Sequence, residues 1–185
     1  MKTKLLSILT ISLILAACSS ITTSYDYDKT VDFTKYKTYN FTEEAMKFGI
    51  QELNRNRLLA AIDHEMASRG FTKSDNPDVL VDLMGKMEQK RTATATTSGT
   101  GMYGGYGYGR YGYGGGFSTT TVNYNDYTEG TLFINLVDKS TEKIVWQGRG
   151  TKTLSETASP EKREANIKNG VAMIYQKYPI KPQSK

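Results

Sequence analysis

Between Glu129 and Leu154 the chain reads EGTLFINLVDKSTEKIVWQGRGTKTL. Leu132, Ile134 and Leu136 alternate with Phe133, Asn135 and Val137; after a polar break come Ile144, Trp146, Gly148 and Gly150. Period-two alternation on both sides of a short polar loop predicts a β-hairpin. A three-residue loop, Lys139-Ser140-Thr141, sets Leu136 opposite Ile144, Ile134 opposite Trp146 and Leu132 opposite Gly148. That register gathers the large apolar groups on one face, and a slip of one residue scatters them. The glycines beside Trp146 leave room for its ring or for a close-packed helix.

The same reading extends along the chain. Ser24 to Asp28 (SYDYD) predicts an edge strand, and Thr38 to Phe41 a second strand after a turn. Gln51 to Arg69 predicts a helix with Leu58, Leu59, Ile62 and Met66 on one face. Gly70 is placed to end it in the left-handed conformation, with Phe71 packing back. Asn76-Pro77-Asp78 marks a turn into a long strand that begins at Val79, with Val81 and Leu83 on its apolar side, and turns polar and Thr-rich through Thr97. Phe117 to Thr128 reads as its returning partner, followed by the hairpin. Ser159, Pro160 and Glu161 predict the start of a second helix to Tyr178, with Ile167, Val171, Ile174 and Tyr178 as its stripe. Lys181 to Lys185 reads as a disordered tail.

This order predicts a two-layer α+β domain over residues 25–180. A mostly antiparallel sheet packs one face on both helices. Leu132, Ile134, Leu136, Ile144 and Trp146 are expected to meet Ile62, Met66, Val171 and Ile174.

The segment 99–116 departs from this pattern. It holds ten glycines and five tyrosines, Tyr103, Tyr106, Tyr108, Tyr111 and Tyr113. Glycine raises the cost of ordering, so the segment is expected to be a flexible insertion at a hairpin tip. Two readings stand: a tolerated insertion, or a mobile arm whose tyrosines contact a partner or stack on sugar rings. Its flanks are strands, so it is not a phosphate-binding loop between strand and helix.

With 185 residues the chain can bury one core, and its 23% charged and 38% hydrophobic content argues against wholesale disorder. The net charge of +5 falls to +3 once Lys2 and Lys4 leave with the first 17 residues. Basic residues are scattered among acidic ones, unlike a nucleic-acid-binding patch, so no nucleic-acid partner is expected.

The lone Cys18 and lone His64 cannot supply a Cys/His zinc set or an intrachain disulfide. His64 lies beside Asp63 and Glu65 in a predicted helix, where adjacent side chains diverge, and no nucleophile motif is near. Asp26 and Asp28 share a strand face without a loop to wrap an ion. Adjacent acids such as Glu43-Glu44 do not by themselves make a catalytic pair. No metal, cofactor or catalytic residue is expected, and a hydrolase is the least favoured class.

The N-terminus is more specific. Lys2 and Lys4 precede an apolar run, Leu5 to Leu15, shorter than the about 20 residues that span a bilayer. Small residues Ala16 and Ala17 then precede Cys18. Leu15-Ala16-Ala17-Cys18 resembles the lipobox of bacterial lipoproteins. That resemblance implies cleavage of 1–17, a lipid on the Cys18 thiol and amine, and a tether over 18–24. Ser19 in place of aspartate implies the outer membrane, and the lack of an acidic run over Ser19 to Ser24 implies an anchor facing the periplasm.

A wider resemblance rests on an ordered set of pieces. Phe33…Tyr36-Lys37-Thr38-Tyr39 follows a Tyr-Asp-rich strand; then come Gly70-Phe71, Pro77-Asp78-Val79-Leu80-Val81 and Glu129-Gly130-Thr131-Leu132. Val137-Asp138…Val145-Trp146-Gln147-Gly148 precedes a last helix ending in Tyr178-Pro179. Together with the lipobox, these resemble the bacterial envelope lipoproteins that carry the domain of unknown function 4136. The resemblance implies location and fold kinship and brings no catalytic residues. The expected function is a non-enzymatic, membrane-anchored lipoprotein with a structural or accessory role, its partner an envelope protein or polysaccharide. The alternative is a glycan or peptidoglycan binding module that uses the tyrosines.

Overall fold

A computed structural model describes residues 21–99, 118–155 and 157–183. The strands are β1 (Thr22–Tyr27), β2 (Thr38–Phe41), β3 (Thr72–Lys73), β4 (Val79–Gly99), β5 (Ser118–Asp138) and β6 (Lys143–Thr153). The helices are α1 (Glu43–Met46), α2 (Glu52–Ser68) and α3 (Pro160–Tyr175), with a 3-10 turn at Phe33–Lys35. One six-stranded sheet runs β1-β6-β5-β4-β2-β3. It is mixed: β1, β6, β5 and β4 pair antiparallel, whereas β2 runs parallel to both β4 and β3. The α+β class expected from the sequence holds at this level.

The parallel insertion of β2 has a local cause. Asp78, just before β4, accepts the backbone N–H groups of Lys37 and Thr38, each at 2.8 Å. Its own N–H donates to the Thr38 hydroxyl at 2.9 Å. One carboxylate thus fixes the start of β2 against the start of β4. Those bonds hold the Asp78 carboxyl below its ordinary pKa.

The two long strands are single elements. Residues expected to form a returning strand and a separate hairpin strand make one continuous β5, in register with β4 from Val79↔Asp138 to Gly99↔Ser118. Beyond Thr128, whose carbonyl accepts the Leu154 N–H at 2.8 Å, β5 has only β4 beside it. Ten pairs, Lys90↔Tyr127 to Gly99↔Ser118, form a two-stranded ribbon, about 34 Å long at 3.4 Å per residue. Its threonines favour extended backbone, and cross-strand pairs such as Arg91–Asp126 at 2.7 Å stitch it.

The hairpin register differs from the expected one. Leu136 pairs with Trp146, Ile134 with Gly148 and Leu132 with Gly150. The turn spans four residues, 139–142, with Glu142 in the left-handed region at φ 58°. The ladder then shifts between Leu136 and Val137, because Val145 is an extra residue on β6. As a result Val145 and Trp146 are both buried, while Ile144, expected in the core, is 52% exposed.

The two long helices follow their sequence signals, although α3 ends at Tyr175, short of the expected Tyr178, and the short α1 was not expected. Ser159 caps α3 by accepting the Lys162 N–H, and Pro160 occupies its first position. Gly70, at φ 85°, ends α2; the Phe71 N–H bonds back to Met66 O at 3.1 Å, as a left-handed helix terminus requires. Leu58, Ala61, Ile62 and Met66 of α2 are buried, as are Val171 and Ile174 of α3. The tail, expected to be disordered from Lys181, is held as far as Gln183, whose N–H donates to Ser68 O at 2.8 Å.

An aromatic cluster anchors α3 on β6. Trp146 stacks on Tyr175, with centroids 5.2 Å apart, and meets Tyr178 edge-on at 5.3 Å. Phe33 and Phe71 extend the cluster against Tyr178. Each such buried side chain stabilises the fold by about 1.5–3 kcal/mol. Trp146 Nε1 and the Tyr175 and Tyr178 hydroxyls find no hydrogen-bond partner among the described residues. Burial pushes both tyrosine pKa values up. Replacing Tyr178 with phenylalanine removes an unpaired hydroxyl while keeping the ring, so unfolding stability should stay level or rise by about 1 kcal/mol. A loss above 1 kcal/mol in urea melts would show that the hydroxyl has a partner.

Candidate functional site: an apolar groove at the root of the ribbon

β-Alternation decides what the sheet shows to the helices. Gly85 and Met87 of β4, Gly130 and Leu132 of β5, and Gly150, Lys152 and Leu154 at the end of β6 share the face that carries Ile134, Leu136 and Trp146. Toward Trp146 this face is closed, because Ile174 of α3 sits on Gly148 and Gly150. Toward the ribbon the glycines leave bare backbone. There a cavity of about 560 Å³ opens, within the range of small-molecule sites.

Its walls come from elements distant in sequence. Phe48, Gly49 and Ile50, after α1, form one side; the Phe48 ring lies so close to Gly85 that a β-carbon there would come within 2.7 Å. Asn166, Ile167 and Gly170 of α3 form the other, with Ile21, ahead of β1, at its end. The centre of the floor is β5, whose backbone is paired on both sides, with β4 and with β6.

Lys152 is the charged side chain that alternation turns into the groove. Its Nζ donates to Asn166 Oδ1 at 2.9 Å and forms no ion pair among the described residues. Burial pulls its pKa below the ordinary lysine value, and the neighbouring Lys162 adds to the effect. Lys86 also borders the groove, but it alternates to the opposite face and pairs with Glu88 there. No carboxylate lines the cavity among the described residues. The arrangement can bury a hydrocarbon and hold one anionic group at its edge.

The residues singled out from the sequence sit elsewhere. Cys18 and Tyr103, Tyr106, Tyr108, Tyr111 and Tyr113 lie outside the described residues. His64 is on the exposed side of α2; its neighbour Asp63 accepts from the Tyr39 hydroxyl at 2.7 Å and from Lys73, while Glu65 pairs with Arg69. Asp26 and Asp28 bond locally to Tyr27 N and to Thr30. Glu43 and Glu44 form the exposed first turn of α1. No group of three or more His, Cys, Asp or Glu converges on a metal position among the described residues. The groove itself was missed, although Gly85, Gly130 and Gly150 at apolar-face positions were a signal that the face is bare there.

On the opposite face, Asp82, Asn135 and Gln147 form a cross-strand chain, with Asn135 buried: Gln147 donates to Asn135 at 2.8 Å and Asn135 to Asp82 at 3.3 Å. At the hairpin turn, buried Asp138 accepts from the Tyr36 hydroxyl at 2.6 Å and the Lys35 ammonium at 3.3 Å. Both sets fix the sheet, and neither borders the cavity.

Among solved structures, a PDZ domain protein from Parabacteroides distasonis is similar to the whole chain, with a TM-score of 0.52 and 14% identity. The chain spans 42% of that protein's length, so the likeness concerns the fold alone. A PelC dodecamer from Paraburkholderia phytofirmans matches at a TM-score of 0.45 and 12% identity, over 89% of this chain and all of that one. No curated protein matches significantly. A family model, described as a domain of unknown function, matches residues 23–180, from within β1 to just past α3. The chain therefore belongs to the DUF4136 family.

Proposed function

We propose that the protein is a lipid-anchored envelope lipoprotein of the outer membrane, facing the periplasm, that acts by binding rather than by catalysis. One observation carries this reading. The chain's lone cysteine follows Leu15-Ala16-Ala17, behind a basic start and a short apolar run. It falls four residues before β1 begins at Thr22. Processing at Cys18 would leave the folded body close to the membrane. Several acyl chains hold such a protein firmly, since each buried methylene contributes about 0.8 kcal/mol and a single chain is marginal. The groove favours a binding role, because its lining offers an amine and an amide but, among the described residues, no paired acid and base. The ribbon extends about 34 Å beyond the sheet, and the Tyr-rich segment lies in sequence between its two strands.

Replacing Cys18 with alanine should leave a full-length precursor that takes up no labelled fatty acid. Normal labelling of that variant, or a mature wild-type N-terminus other than a lipidated cysteine, would remove the anchor from this account.

A further inference from the structure

We propose that the groove beneath α3 binds a long-chain fatty acid, its hydrocarbon along the glycine-floored cavity and its carboxylate on Lys152. The proposal rests on the membrane anchorage above for its supply of ligand, but not for the geometry of the site.

The lining selects the chemistry. Leu132, Ile167, Ile50 and Phe48 offer aliphatic and aromatic surface to an unbranched chain. A peptide laid in the same place would bring backbone N–H and C=O groups that need partners. At its centre the floor has none to give, because β5 there is paired on both sides, with β4 and with β6. A hydrocarbon makes no such demand. At the groove's edge the charge is positive and partly withdrawn from water. Lys152 has one neutral partner, Asn166, and no acidic one among the described residues. A carboxylate there gains a charge-assisted bond without displacing an existing ion pair.

Supply follows from where the chain enters. Ile21 borders the groove, and Cys18 is three residues away, at most about 11 Å of extended chain. A protein fastened through Cys18 would hold the groove near the bilayer surface, where free fatty acids partition.

The test uses the full-length protein, purified from membranes and reconstituted in phosphatidylcholine vesicles. A palmitate carrying a mid-chain diazirine is photolysed in place, and adducts are mapped by mass spectrometry. The intact mass of the N-terminal peptide reports lipidation at Cys18 separately, so failure of the anchor and failure of the groove are distinguishable. Adducts are expected on the segments around Leu132 and Ile167. Lys152→Gln should weaken palmitate competition about ten-fold while leaving hexadecanol competition unchanged. Ile167→Trp should fill the groove and abolish the adducts, with circular dichroism checking that the variant folds. Wild-type protein labelled only near its tether, or a Lys152→Gln variant that binds palmitate as wild type does, overturns the proposal. So does a wild-type groove that resists labelling because the protein's own acyl chain fills it.

Discussion

Replacing Gly148 with alanine should lower stability by about 3 kcal/mol, the upper end of the cost of overpacking a core. A β-carbon built there runs into Ile174 of α3 on one side and the Trp146 indole on the other. Neither neighbour has an easy retreat. Trp146 is fully buried between Tyr175 and Tyr178, and Ile174 also covers Gly150, where a β-carbon would lie 2.8 Å from its Cδ1. The strain therefore falls on the whole contact between α3 and the sheet. For a chain of this size the melting temperature should drop by about 6–12 °C. A second change separates this cause from a backbone effect of the lost glycine. Ile174→Ala alone costs stability by leaving a cavity, but combined with Gly148→Ala it makes room for the new methyl. The double variant should therefore be more stable than the sum of the two losses allows, with a coupling of about 1–2 kcal/mol. Strict additivity in denaturant melts would mean that α3 does not sit on Gly148.

Much of this packing was legible from spacing alone. Ile134, Leu136 and Trp146 alternate, and all three are fully buried; Ser159 and Gly70 mark the ends of their helices where the sequence placed them. These signals are local, set by period and capping chemistry. Some of the misread features depend on partners far along the chain. β2 is four residues long, and its parallel place beside β4 follows from Asp78 binding Lys37 and Thr38 about 40 positions away. The hairpin register turned on whether the loop held three residues or four. Period-two alternation cannot count loop residues, and the extra Val145 let both apolar neighbours turn inward. The groove was hidden for another reason. It is built from missing side chains on three strands, of which only those beside Trp146 were read, as room for its ring or a helix. Lys152 looks in sequence like any exposed lysine near a strand end; only the neighbouring Asn166 and Ile167 of α3 withdraw it from water.

The four-residue turn makes its own prediction, through Asp138. This buried carboxylate has five donors: the Tyr36 hydroxyl, the Lys35 ammonium, the Ser140 hydroxyl and N–H, and the Thr141 N–H. It shapes the loop that sets the β6 register and also ties the segment before β2 to the end of β5. Asp138→Ala strips all five bonds and leaves the buried Tyr36 hydroxyl without its acceptor, so the expected loss is about 3 kcal/mol at neutral pH. Asp138→Asn keeps an oxygen for the turn but points an amide at Lys35 and Tyr36, and should lose about half as much. The pH dependence tests the charge itself. The Ser140 and Tyr36 hydroxyl bonds, the largest causes, hold the Asp138 carboxyl well below the usual carboxylate range, with the turn N–H groups adding to them. A carboxylate depressed in the folded state contributes stability above its unfolded pKa of about 3.9, and that contribution is lost as pH falls through the folded value. The stability gap between wild type and Asp138→Asn should therefore be full from pH 5 to 7 and shrink steadily below about pH 4. Taking the difference between the two proteins cancels the titration of carboxylates they share. Urea melts at pH 7 and pH 3 decide it: an equal gap at both would mean that the ionised form of Asp138 contributes nothing to holding the turn.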